Sequence, residues 1–318
     1  MTKPAATIFC LSLALGAAGA PRAAAEAGLT AAPALNAPMG ARSAAMGQAF
    51  AAVPGSAESL NYNPGALAFT PGSNIFASYL SGFDYTGHGF MAAPLKFGAF
   101  VFTPGYLYFN GGSMNLNLSD GTTGKVTAED DRTAYASGAW RPVKRLGLGA
   151  TLKHTRIVLA ETASASALNY DFGALYVLDG GLSLGASYMN SGGGFKFEEK
   201  ADPAPAVRRL GAAYRLELTP PNLLDPSTDL VFCEVLFTAD WAGIYRERGY
   251  YQAGAELKMG MPMNLTLDLR AGYLLGRAAE GMTFGLGLGR DKWTFGYSLG
   301  AAKEINPRQQ ASLGYKFN

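Results

Sequence analysis

The chain has 318 residues, 41 of them glycine, with 12% aromatic and 16% charged side chains. Charged residues fall well below the ~25% of ordinary soluble domains, and 26 Lys and Arg against 24 Asp and Glu leave no basic excess to attract nucleic acid. Only the N-terminus carries an apolar run long enough to raise the question of a membrane helix, so any span in the rest of the chain must be built from strands.

Residues 1–25 read as an export signal: Lys3 supplies the positive start, Ile8 to Ala20 the apolar stretch, and Ala23-Ala24-Ala25 a small-residue cleavage site. Residues 26–72 form a second unit. Within it Met39, Ala44, Ala45, Met46, Ala49, Phe50 and Val53 have rough helical spacing on small residues. Pro54-Gly55-Ser56 ends that run, and Asn63-Pro64-Gly65 forms a turn into Ala66-Leu67-Ala68.

From residue 73 to 318 the chain alternates. About fourteen segments bounded by turn residues are predicted as strands: 74–83, 86–93, 97–109, 132–141, 147–159, 167–178, 181–190, 206–218, 229–241, 249–260, 263–275, 281–290, 292–302 and 308–317. In the last, Ala311, Leu313, Tyr315 and Phe317 share one face and Gln310, Ser312, Gly314 and Lys316 the other. Most segments approach the ~9 to 11 residues with which a tilted strand crosses a bilayer. The two longest connections, 110–131 and 191–205, both follow odd-numbered strands, whereas turns after even strands are mostly tight, among them residues 94–96. That parity suits a barrel with long loops outside and short turns on the periplasmic rim. Aromatics at strand ends, including Trp241, Tyr245, Tyr250, Tyr251, Trp293, Tyr315 and Phe317, suit interfacial girdles. The expected fold is all-β: a 14-stranded antiparallel transmembrane β-barrel with a short N-terminal helical hatch in its lumen. A secreted β-sandwich also alternates, but the Gly, Ser and Thr of the second face, such as Gly285, Gly287 and Gly289, make a poor core.

The third segment has Val101 and Leu107 on the face opposite Phe102 and Tyr106, so something apolar is expected inside the barrel. In its middle, Thr103-Pro104-Gly105 weakens the ladder, because proline cannot donate and glycine packs nothing. Inward positions carry both signs of charge in neighbouring strands: Arg209, Arg215 and Glu217; Glu234 and Asp240; Glu256 and Lys258; Asp268 and Arg270. Such ladders hold a plug or line a solute path.

Catalytic and metal chemistry find no support. His88 has no nucleophile motif nearby, and His154 lies in the Lys153-His154-Thr155-Arg156 run near a strand's outer end. Cys233 would be the single cysteine left after signal removal, and a four-ligand zinc site is not built from one Cys and two His. Gly285-Leu286-Gly287-Leu288-Gly289 lies in a strand and opens no helix, so it is no phosphate loop. No enzyme activity, cofactor or metal is expected.

Gly40-Ala41-Arg42-Ser43-Ala44-Ala45-Met46-Gly47-Gln48-Ala49-Phe50-Ala51-Ala52-Val53, followed by Glu58-Ser59-Leu60-Asn61-Tyr62-Asn63-Pro64-Gly65-Ala66-Leu67-Ala68, resembles the N-terminal stretch of the PorV/PorQ group of FadL-like outer-membrane proteins. Two departures are that Pro54-Gly55-Ser56 replaces the usual acidic pair and that Gly65-Ala66 inverts Ala-Gly. The resemblance implies a location in the outer membrane of a Gram-negative-type bacterium, with outer-membrane lipid and the barrel-assembly machinery as partners. Tyr315 and Phe317 would serve as the assembly signal, although the chain ends on Asn318. It further implies a lateral gate, with Asn61, Asn63, Pro64 and Gly65 as hatch turn and Pro104 and Gly105 as strand kink. The implied function is passive transport of a small hydrophobic molecule; the alternative is docking of cargo to secretion-system proteins of a type IX machine. The lumen charges Arg215, Glu217, Glu234, Glu256, Asp268 and Arg270 join the candidate residues.

Overall fold

In the computed structural model, which describes residues 30–82, 86–117, 121–218, 232–276, 281–301 and 307–317, the chain forms one closed antiparallel barrel. The segment read as an export signal lies outside the described residues. Fourteen strands make the wall: β1 (Asn74–Ser81), β2 (Gly87–Ala92), β3 (Phe100–Asn110), β4 (Glu129–Val143), β5 (Leu146–Leu159), β6 (Ala163–Val177), β7 (Leu182–Gly192), β8 (Val207–Leu218), β9 (Phe232–Ile244), β10 (Tyr250–Met261), β11 (Leu265–Leu275), β12 (Met282–Arg290), β13 (Trp293–Gly300) and β14 (Arg308–Lys316). Each pairs with its sequence neighbour. β1 closes the circle on β14, from Asn74 opposite Lys316 to Ser81 opposite Gln309.

Period-two sequence dictates this arrangement. Phe295, Leu299 and Leu313 project outward and are exposed, while Gly296, Ser298, Gln310 and Ser312 turn inward and are buried. A closed wall with an apolar exterior pairs its strands all the way round and leaves no open sheet edge, as a bilayer demands. Trp293 and Tyr315 lie across the β13–β14 pair with ring centroids 4.7 Å apart, and Phe317 packs on Tyr315 at the same rim. Tyr250 departs from the girdle expected of it. It faces inward and is buried against Val207, Ala242 and Ile244, while its neighbour Tyr251 is exposed.

Three sequence boundaries are corrected. The third strand begins at Phe100, because Gly98, with φ +61°, turns the chain and leaves Leu95–Phe97 as a short strand folded back on Phe100–Phe102. Residues 94–96 are therefore not the turn. The 110–131 connection contains a hairpin, Ser113–Asn117 with Thr123–Thr127, and β4 starts at Glu129. The 191–205 connection likewise holds a two-residue pairing, Phe195–Lys196 with Ala201–Asp202.

Residues 30–69 fill the lumen. A five-residue α-helix, α1 (Ala41–Ala45), preceded by a short 3-10 turn at Pro33–Asn36, replaces the longer helix that spacing suggested. It ends where Gly47 and Gln48 both take positive φ, and tight turns follow at Ala57–Asn61 and Pro64–Phe69. The hatch also touches both closure strands: Ser78 Oγ donates to the Met39 carbonyl (2.8 Å) and Gln310 Nε2 to the Pro38 carbonyl (3.1 Å).

Candidate functional site

The hatch meets the wall in two chemically different ways. On the β9 to β12 side its directed contacts are polar, beside an apolar cluster that Met46, Phe50 and Val53 share with Leu236 of β9. Arg42 on α1 reaches Glu256 of β10 with two hydrogen bonds, Nε to Oε2 at 2.7 Å and a terminal nitrogen to Oε1 at 2.6 Å. Glu256 also accepts from Arg270 of β11 at 2.6 Å, and Arg270 donates to Asp268 at 2.5 Å. One buried carboxylate is thus shared by two guanidinium groups, a bidentate geometry that favours the ion pair despite desolvation. Asp240 of β9 accepts the amides of Phe50 and Ala51, both at 2.7 Å. Thr283 of β12 bridges Ala45 and Gly47.

The turn Asn63-Pro64-Gly65 seats on β5 and β6. Asn63 accepts from the Gly65 amide (3.0 Å) and donates to the carbonyls of Ala51 (2.7 Å) and Ala174 (2.9 Å), fixing turn and wall together. The seat exists because Gly149 and Gly173 lack side chains. A Cβ on Gly149 would lie 2.3 Å from the Pro64 carbonyl carbon, and one on Gly173 2.1 Å from the Asn63 side-chain oxygen. Asn61 does a separate task, donating to the carbonyls of Leu35 (3.1 Å) and Ala37 (3.3 Å) within the hatch.

On the β2 to β4 side the contacts are apolar. Leu35, Met39, Leu60 and Leu67 of the hatch pack against Phe90, Ala92, Val101, Leu107 and Tyr135 of the wall, all buried. Val101 and Leu107 thus have the apolar partner that their inward placement required. Directly outside lies an interrupted length of ladder. β2 pairs with β3 from Gly87–Asn110 to Ala92–Gly105, and Leu95 resumes opposite Phe102. Between them Pro94 and Pro104 both lack an N–H, and the Ala93 amide donating to the Pro104 carbonyl (3.0 Å) bridges the gap. Pro104 itself faces outward and β3 stays in continuous register with β4, so the interrupted pairing lies on the β2 side of the strand. Gly105 faces inward, and a Cβ there would be 2.7 Å from Leu60.

The structure therefore divides the predicted residues. Glu256, Asp268 and Arg270 come together at the hatch. Arg215 and Glu217 are exposed at the far end of β8, where Arg215 lies 4.0 Å from Glu234. Asn63 to Gly65 and Pro104 to Gly105 are on different wall sectors, linked through Leu60. Sequence reading missed the partners Arg42 and Gly149 with Gly173, and it missed the buried pair of Lys153 and Asp171 (2.8 Å), which Asn190 joins to Asn36 of the hatch. Strict alternation was the available signal for Lys153, since it must point away from His154 and Arg156.

No protein-family model and no curated protein matches the chain. Among solved structures it is similar to the Ralstonia pickettii toluene transporter TbuX, at 14% identity and TM-score 0.59 over 88% of this chain and 98% of that one. It is also similar to the Pseudomonas putida toluene transporter TodX, at 14% and 0.57 over 86% and 96%. A Pseudomonas aeruginosa FadL homologue matches at 11% and 0.50 over 88% and 98%. At such identities the fold is what is shared.

Proposed function

We propose that this barrel is a FadL-like channel of the outer membrane, through which small hydrophobic molecules cross passively and leave sideways at the β2–β3 seam. The observation that carries this reading is the apolar pack of Leu35, Met39, Leu60 and Leu107 directly behind a ladder thinned by Pro94 and Pro104. A hydrophobic solute moving there exchanges one apolar surface for another, and parting the seam breaks few hydrogen bonds. The like-folded toluene transporters support the solute class. Outer-membrane lipid then receives the solute, and Tyr315 and Phe317 remain the segment offered to the assembly machinery.

The test is uptake of toluene by vesicles containing the purified barrel. Pro104→Val supplies the missing N–H opposite Ala93, and the gain of one hydrogen bond, ~0.5–1.5 kcal/mol, slows uptake roughly 2- to 10-fold. Uptake at the wild-type rate would remove the seam as the exit.

The PorV-like reading, in which the barrel docks secreted cargo for a type IX machine, draws on the N-terminal motif and on the two-stranded hairpin Ser113–Asn117 with Thr123–Thr127 carried on an outer loop. Secretion components encoded beside this gene, together with loss of cargo capture on deleting residues 113–127, favour it over transport.

A further inference from the structure

The outer face of the wall carries a groove of about 940 Å³ away from the β2–β3 seam, its floor backed by Gly149 and Gly173, the same glycines that seat the hatch turn from inside. Its floor is small: Gly138 of β4, Ala150 of β5, Ala174 of β6 and Ala186 of β7. Its rims are large, with Phe172 and Tyr188 on one side and Trp140, Leu148 and Leu210 on the other. Cross-strand register gives the floor one diagonal step: Gly138 faces Ala150 and Ala174 faces Ala186, while between them Ala150 is opposite Phe172 and Leu148 opposite Ala174; Tyr188 faces Arg208. Arg208 closes one end. It is exposed, its guanidinium lies 5.7 Å over the Tyr188 ring, and among the described residues no carboxylate pairs with it.

Position along the strands gives the groove a direction. Arg208 is the second residue of β8, which enters the wall from a long outer loop, whereas Trp140 is near the end of β4, which leaves by a tight turn. Four inter-strand spacings of ~4.8 Å make the groove about 19 Å long. With strands tilted ~40°, it descends about 12 Å, close to the ~15 Å depth of one leaflet. An apolar trough one leaflet deep, headed by an unpaired cation at the outer interface, complements an anionic amphiphile better than it does a neutral solute or a flat protein surface.

We infer that this groove seats an acyl chain of an outer-leaflet glycolipid, with the lipid's phosphate on Arg208. The inference stands apart from the transport reading and survives its failure.

The test uses purified full-length barrel in detergent, with bis-phosphorylated lipid A and its dephosphorylated form, each carrying brominated chains, and inorganic phosphate alone. Trp140 and Trp241 both line the groove, so bromine seated there quenches their fluorescence. Wild type binds the phosphorylated lipid about tenfold more tightly than the dephosphorylated one, the worth of one charge-assisted hydrogen bond. Arg208→Gln brings the two lipids to parity, and Ala186→Leu, which raises the floor, weakens both. Heat-modifiable gel mobility checks that each variant is folded. Equal preference in wild type and Arg208→Gln, binding of inorganic phosphate without lipid, or a dimer covering Trp140 and Trp241 would each overturn the assignment.

Discussion

The two flanks of the hatch obey different physics. Toward β9–β12 it is held by charges and directed hydrogen bonds, Arg42 to Glu256 and Asp240 to two amides. Toward β2–β4 it is held by Leu35, Met39, Leu60 and the side chains around them. Directed contacts fix position but leave costly orphans when broken. Non-directional contacts part and re-form without stranding a polar group. The polar flank is therefore the anchor and the apolar flank the place where a solute can insert.

Glu256→Gln strikes the anchor hardest. Removing the carboxylate leaves Arg42 and Arg270 buried without their shared partner, at ~3–5 kcal/mol. Hydrogen exchange across residues 41–53 then accelerates by more than ~100-fold, while the wall strands keep their protection. If protection in the hatch is unchanged, the anchor lies elsewhere. Leu60→Ala acts on the other flank, costing ~2–4 kcal/mol of hatch packing but widening the space beside Gly105. Toluene uptake rises in this variant although the hatch stays latched, and a fall in uptake would contradict the division of labour. Pro104→Val has the smaller, opposite effect already given. The mildest perturbation is acid. Burial pushes the Glu58 carboxyl above its ordinary value, against the hydrogen bond from the Ser43 amide. The docked hatch thus holds that proton more tightly than a released one. Docking strengthens as pH falls through the range above the ordinary carboxylate value and weakens as it rises, by at most ~1.4 kcal/mol per pH unit. Hatch exchange that shows the same pH dependence in Glu58→Gln would assign the effect to another group.

The barrel was legible in the sequence because a two-residue period survives any register, and a lumen filler was legible from Val101 and Leu107. The start of β3 was not, since Phe97 continues the alternation across the turn that Gly98 makes. The charge ladder announced Glu256, Asp268 and Arg270 but gave no sign that Arg42, more than 200 positions away, completes it. Nothing in the local sequence around Gly149 and Gly173 marks them as a seat. Their role depends on where another segment of chain passes, which a local pattern does not encode.

Hydrogen bonds from Ser78 and Gln310 to consecutive hatch carbonyls have a bearing on biogenesis. β1 and β14 come from opposite ends of the wall-forming chain and must find each other last, with eight residue pairs to align. A docked hatch offers both strands a common ruler, so cylinder closure and lumen filling become one cooperative event, not two successive ones.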